Sequence, residues 1–289
     1  MTQFKPRHRF ALSLICTGLL FGCGSRDQVN NLNGLANGST GKNAAVIFGA
    51  PHGLEGVPTD VREFSKLLKE PQYNFQFPVV ASNGDATVAA ILALTAETAK
   101  NADTLIWYFS GHGNTGIMLA SDTTFTFHQV ADALKTARLN KPLKRLIVLI
   151  DSCYSGSFIN GSSPIVEDSV PQRHYKCARP SEPTDAPGSD IFDVLDSMKD
   201  RGIFEQAFVM SSSTKDESSV DLGAEKGGAF TWALRQVMAD LRQNRDGATL
   251  DEFARATTAR TQREGDHTPV YKAFPSSLML NEKMFHYAL

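Results

Sequence analysis

Apolar residues in this chain fall into short continuous runs, separated by stretches with helical spacing. Ala44 to Gly49, Phe75 to Ala81, Thr104 to Phe109, Leu146 to Ile150 and Ala207 to Met210 are the runs, each of strand length. Leu146 to Ile150 is unbroken Leu-Ile-Val-Leu-Ile, as a strand buried on both faces should be. Between the runs the period changes. Pro58 to Leu68 places Val61, Phe64, Leu67 and Leu68 on one face of a helix, with Thr59 or Asp60 as candidate cap. Thr87 to Lys100, Phe127 to Arg138, Ala229 to Arg242 and Leu250 to Arg263 read as further helices, the last capped by Thr249. Gly116 to Phe127 alternates like a hairpin outside the main sheet, and Ser277 to Leu280 is expected to add a last strand. Strand–helix alternation predicts an α/β domain with a mostly parallel central sheet and helices on both faces. Chemistry in such sheets gathers at the carboxyl ends of the strands.

Two stretches break the pattern. Asn160 to Asp190 is loaded with Pro, Ser, Gly and charge, the mark of a functional or disordered loop, and order resumes near Ile191. Ser211 to Asp221 is a second polar loop. No internal repeat is visible.

The N-terminus is a separate matter. Lys5, Arg7 and Arg9 precede the apolar run Phe10 to Phe21, the order of a signal peptide. Its end, Leu20-Phe21-Gly22-Cys23, resembles the lipobox of bacterial lipoproteins. That resemblance implies removal of residues 1–22 and lipidation of Cys23. It also implies membrane attachment through the lipid and a place in the bacterial cell envelope, at the outer membrane because Gly24 follows the cysteine. Residues 23–43, rich in Asn, Gly and Ser, read as a flexible tether, and 44–289 as one domain carrying the 160–190 loop. Loss of Lys5, Arg7 and Arg9 with the leader leaves 26 basic against 31 acidic residues, a net charge of −5. With no basic block, nucleic acid is not an expected partner.

Of four cysteines, Cys16 leaves with the leader and Cys23 carries the lipid, so Cys153 and Cys177 remain. Neither a disulfide framework nor metal spacing is present, and no metal or cofactor is expected. A thiol retained by an exported chain calls for a role. Cys153 has one on offer, because it lies in Asp151-Ser152-Cys153-Tyr154-Ser155-Gly156, directly after an apolar run. The segment Ser110-Gly111-His112-Gly113 follows another such run. An imidazole and a thiol delivered from two strand ends make a candidate base and nucleophile, His112 and Cys153. The backbone N–H groups of Gly113 and Cys153 can form an oxyanion hole.

These two segments resemble those of the caspase-like, or clan CD, cysteine peptidases, nearest to the metacaspase branch and its bacterial relatives. The resemblance implies a caspase-like three-layer sandwich and a cysteine endopeptidase in which His112 and Cys153 are the catalytic pair. It implies peptide or protein substrates cut after Arg or Lys, with Asp60, Ser110 and Asp151 lining the pocket for that side chain. The acidic cluster Asp122, Asp216, Glu217 and Asp221 has no calcium-cage spacing. Two other readings stay open: a catalytically silent caspase-fold binding lipoprotein, and another thiol hydrolase or acyltransferase. Within the 160–190 loop, Arg173, Lys176 and Arg179 are candidate self-cleavage points, and Cys177 is a candidate disulfide partner that would silence Cys153.

Overall fold

The structure is a computed structural model, which describes residues 43–71, 73, 75, 78–114, 116–138, 141–153, 155, 174–176, 191–214, 216–241 and 248–278. The leader, most of the tether, Cys23, Arg173, Cys177 and Arg179 lie outside the described residues.

Six strands form the central sheet: β1 (Asn43–Ala50), β2 (Val79–Ser82), β3 (Thr104–Gly111), β7 (Leu143–Asp151), β9 (Phe204–Ser211) and β11 (Val270–Phe274). Their order is β11-β9-β7-β3-β1-β2, parallel throughout except for β11, which runs antiparallel to β9. Three short strands, β4 (Gly113–Asn114), β5 (Ile117–Leu119) and β6 (Thr124–Phe125), make the expected separate sheet beside the end of β3. A last pair, β8 (His174–Tyr175) and β10 (Val220–Asp221), joins the two polar loops.

Period-2 side-chain alternation divides the core between the faces of the sheet. Val46, Phe48, Trp107, Phe109, Val148 and Ile150 pack on one side, under α2 (Val88–Ala99), α3 (Phe127–Ala137) and α4 (Ile191–Asp200). Ala45, Ile47, Ile106, Tyr108, Ile147 and Leu149 pack on the other, under α1 (Val57–Leu68), α5 (Ala229–Leu241) and α6 (Leu250–Gly265). The result is the three-layer α/β sandwich that the alternation of elements predicts.

Several boundaries differ from the sequence expectation, each for a local reason. Pairing at β2 begins only at Val79, because Pro78 has no N–H to give a ladder, and Tyr73 and Phe75 bury themselves in the core instead. Among the described residues the last strand is Val270–Phe274; of the expected Ser277–Leu280, Ser277 and Leu278 are not strand and the other two lie outside the described residues, and Pro275 stops the ladder. Its half-exposed residues carry no apolar run to announce it. Thr249 caps α6 through a reciprocal bond with Glu252, as expected. Neither Thr59 nor Asp60 caps α1, which starts at Val57 after Gly56. Asp60 lies inside that helix and is fully buried, so its carboxylate serves a different purpose.

Candidate active site

The register of the central strands assembles the site. β1, β3 and β7 end side by side, with Gly49 level with Ser110 and Ser110 level with Asp151. His112 and Cys153 each follow two residues later, off the carboxyl ends of β3 and β7. Ser212, just past the end of β9, fixes the turn that carries Cys153: its Oγ accepts from Ser152 N (3.1 Å) and donates to Ser152 O (2.9 Å).

His112 is half-buried. Its Nε2 lies 3.3 Å from the carbonyl oxygen of His52, so an Nε2–H donates there and Nδ1, which is buried, is left as the ring's acceptor. His52 holds a left-handed backbone with φ 40°, and its own Nε2 binds Ala120 O at 2.7 Å. Cys153 is fully buried, its Sγ accepts from Ser219 N (3.2 Å), and it is disulfide-bonded.

The two N–H groups expected to form an oxyanion hole converge on one oxygen. Gly113 N donates to Lys176 O at 3.1 Å and Cys153 N donates to the same atom at 3.3 Å. Only glycine fits at 113, since a Cβ there would stand 2.7 Å from Ser152 Oγ and 2.9 Å from Cys153 O.

Lys176 also fills the predicted pocket. Its Nζ reaches Asp60 Oδ2 (2.8 Å), Asp151 Oδ2 (3.0 Å) and Ser110 Oγ (2.9 Å), and all three residues, like Lys176 itself, are fully buried. Ser110 Oγ donates onward to Asp60 Oδ2 (2.7 Å), and Gly228 N donates to Asp60 Oδ1 (2.8 Å). Asp151 takes Ser219 Oγ (3.0 Å) on one oxygen and Thr231 Oγ1 (2.6 Å) and N (3.2 Å) on the other. The structure therefore brings Asp60, Ser110, Asp151, Gly113 and Cys153 together around one residue.

Burial and charge pull against each other here. Burial pushes Asp60 up to about 6, although the Lys176 ammonium pulls it down; the neighbouring Asp151 charge adds to the rise. Burial also acts on Asp151, but Lys176 and the hydrogen bonds from Thr231 and Lys176 outweigh it and hold the carboxyl below the usual range. Burial works against the Lys176 charge as well, yet Asp151 and Asp60 overcome it and raise the ammonium above its ordinary value. The pocket is thus a cation site whose ionisation is shared unequally, with Asp151 as the firm charge and Asp60 as the one that titrates.

Sequence reasoning missed the supporting residues. His52 and Ser219 sit on no motif, although Pro51-His52-Gly53 directly after β1 marks a tight turn beside the site, whereas Gly228 and Thr231 belong to Gly228-Ala229-Phe230-Thr231, a segment that resembles the caspase-like family's entry to its late helix. Lys176 is expected from the sequence as one of three exposed candidate self-cleavage points in a polar loop, and the structure instead buries it fully.

Comparison with known proteins gives a consistent answer. The caspase domain family profile matches residues 42–278. The fold is similar to that in the crystal structure of caspase-1 from Spodoptera frugiperda, with a TM-score of 0.52 and 16% sequence identity over 85% of this chain and 92% of that chain. At that identity the likeness is one of fold. Among curated proteins, none matches the chain.

Thr231 gives the arrangement a direct test. Thr231→Val keeps the side-chain shape but removes the hydroxyl shared by Asp151 Oδ2 and the Tyr108 hydroxyl, which lies 2.7 Å from it. Urea denaturation should show about 1–3 kcal/mol of lost stability. An unchanged midpoint would mean that the hydroxyl does not support the buried carboxylate.

Proposed function

The chain belongs to the caspase domain family, a family of cysteine peptidases, and on that premise we propose that it is a cysteine endopeptidase that cuts after Lys or Arg. The observation that carries this reading is the double engagement of Lys176. Its carbonyl oxygen takes two converging N–H groups while its side chain is enclosed by two carboxylates and a hydroxyl. A substrate residue before a scissile bond needs that combination of backbone and side-chain recognition. An Arg guanidinium suits the same carboxylates because its fork can engage both. An Asp side chain would be buried against two like charges.

In the proposed reaction an external dithiol first reduces the disulfide of Cys153, becoming a disulfide itself; the freed thiol then gives its proton to His112 and attacks the carbonyl carbon as a thiolate. The developing oxyanion is held by the N–H groups of Gly113 and Cys153. His112, oriented through Nε2 by the His52 carbonyl, passes a proton to the leaving amine. Water then hydrolyses the thioester. A lipid on Cys23 would tether this activity to the cell envelope by the Asn- and Gly-rich segment that follows. The silent binding-module reading predicts no turnover, and Cys153→Ala of the reduced protein separates the two.

Two measurements test the specificity. With reductant present, fluorogenic peptides differing only in the residue before the scissile bond should favour Lys and Arg over Asp by about 100-fold or more in kcat/KM, the scale of an unpaired buried charge. Preferred cleavage after Asp would overturn the proposal.

The second test uses the pH dependence of the Lys-to-norleucine ratio of kcat/KM, in which the titration of the catalytic pair cancels. As pH falls through the Asp60 value of about 6, the pocket drops from two negative charges to one and attraction for a cation weakens. Without a bound ammonium, Asp60 loses the charge that lowers it, so the fall begins at or above that value. The ratio should decline from neutral pH towards pH 5 in the wild type and stay flat in Asp60→Asn. A flat wild-type ratio would contradict the role of Asp60.

A further inference from the structure

Lys176 is a cast of the side chain that the pocket accepts, and the fit is closest at its tip. An ammonium has three N–H donors. Asp60 Oδ2 (2.8 Å), Asp151 Oδ2 (3.0 Å) and Ser110 Oγ (2.9 Å) accept one each. Both carboxylate oxygens are also occupied from other sides. Asp60 Oδ2 accepts from Ser110 Oγ (2.7 Å), and Asp151 Oδ2 accepts from Thr231 Oγ1 (2.6 Å) and N (3.2 Å). Their sister oxygens are bonded elsewhere, Asp60 Oδ1 to Gly228 N and Asp151 Oδ1 to Ser219 Oγ.

The backbone of Gly228 stands against the ammonium. A Cβ at that position would lie 2.2 Å from Lys176 Nζ, 2.9 Å from Lys176 Cε and 2.2 Å from Asp151 Oδ2. Glycine is therefore the residue that leaves room for the cation. This wall is tied down on three sides. Gly228 N donates to Asp60 Oδ1 (2.8 Å), Gly228 O accepts from Trp232 N (2.8 Å) in the first turn of α5, and Gly228 bridges to Asp221. Asp221 in turn accepts from Gly56 N (3.0 Å) at the start of α1.

Lysine and arginine match atom for atom until the lysine nitrogen, where arginine has the central carbon of its guanidinium. Two further nitrogens stand about 1.3 Å beyond that carbon. An arginine here would put carbon where three oxygens converge at 2.8 to 3.0 Å. Carbon–oxygen contacts ordinarily begin near about 3.3 Å. Its outer nitrogens would meet Gly228, Ser110 or oxygens whose lone pairs are already used. The carboxylates attract either cation, so charge admits both and shape separates them.

We infer that the pocket is built for lysine: the Gly228 wall and the filled oxygens around the ammonium make the protein cut after Lys in preference to Arg. The inference rests on the peptidase reading above and narrows its substrate class to lysyl peptides. Gly228 is then a specificity-determining residue. Ser110 joins it, because its hydroxyl takes the space that a guanidinium nitrogen would need.

Two readouts on the full chain test this, one of them independent of turnover. Lys176→Arg keeps the charge and changes the shape, so it should lower the thermal midpoint by about 5 °C or more. Adding Ser110→Ala should recover part of that loss, because a guanidinium nitrogen can then take the place of the hydroxyl and donate to Asp60 in its stead. Ser110→Ala alone should lower the midpoint. A Lys176→Arg protein as stable as the wild type overturns the inference. The second readout is the ratio of kcat/KM for fluorogenic peptides that differ only in Lys or Arg before the scissile bond, with reductant present. It should favour Lys by about 10-fold or more in the wild type and fall towards unity in Ser110→Ala. As a ratio it is insensitive to the amount of folded protein. Equal rates, or a preference for Arg, overturn the lysine selectivity and leave the peptidase reading standing. A ratio unchanged by Ser110→Ala refutes the part given to its hydroxyl. If neither peptide is cut, the peptidase reading falls, and the Lys176→Arg midpoint still decides whether the pocket is shaped for lysine.

Discussion

An ammonium group with no exposed surface sits between two carboxylates that have none either, and the surrounding structure is arranged to make that tolerable. Each of these charges, taken singly into the protein interior, would cost several kcal/mol in lost hydration. Lys176 is matched by Asp60 and Asp151, so the cluster carries one net negative charge when both are ionised. That excess is met by neutral donors: Ser110, Ser219, Thr231 and the N–H groups of Gly228 and Thr231. Removing the lysine without a replacement would leave two buried anions with hydrogen bonds alone. A pocket built this way requires a cation, and Lys176 supplies it.

The sheet supplies the precision. Three parallel strands in register put Gly49, Ser110 and Asp151 in one row, and α1 brings Asp60 over it from the adjoining layer. The N–H groups that bind the Lys176 carbonyl lie on the two turns that continue β3 and β7. Side-chain recognition and carbonyl recognition therefore share the same rigid strands, which fixes the distance between the charged head of a bound residue and the bond beyond it.

What could be read from the sequence follows from this division. The central strands were legible because burial on both faces makes them continuous apolar runs. The His112 and Cys153 turns were legible because glycine and a reactive side chain follow two of those runs directly. Ser110 and Asp151 came with the same segments, and Asp60 only through the family resemblance. Lys176 as a pocket residue, and the short strand that leads to it, were not legible in that way. β8 has two residues, too few for any periodicity, and it sits in a Pro- and Ser-rich stretch. The ion pair from Lys176 to Asp60 joins residues 116 positions apart, and no local pattern encodes such a contact. The corrections at β2 and β11 share one cause: proline beside an edge strand sets where pairing starts or stops, whatever the apolar pattern suggests.

Amine footprinting tests the central claim most directly, because it asks whether Lys176 occupies the pocket in solution. Brief acetylation of the unreduced full chain, mapped by mass spectrometry, compares Lys176 with Lys141, whose side chain is 64% exposed. Lys141 should be modified readily, while Lys176, wholly buried and ion-paired, should remain unmodified until the chain is unfolded. Acetylation of Lys176 in the folded protein at the rate of Lys141 would contradict the account.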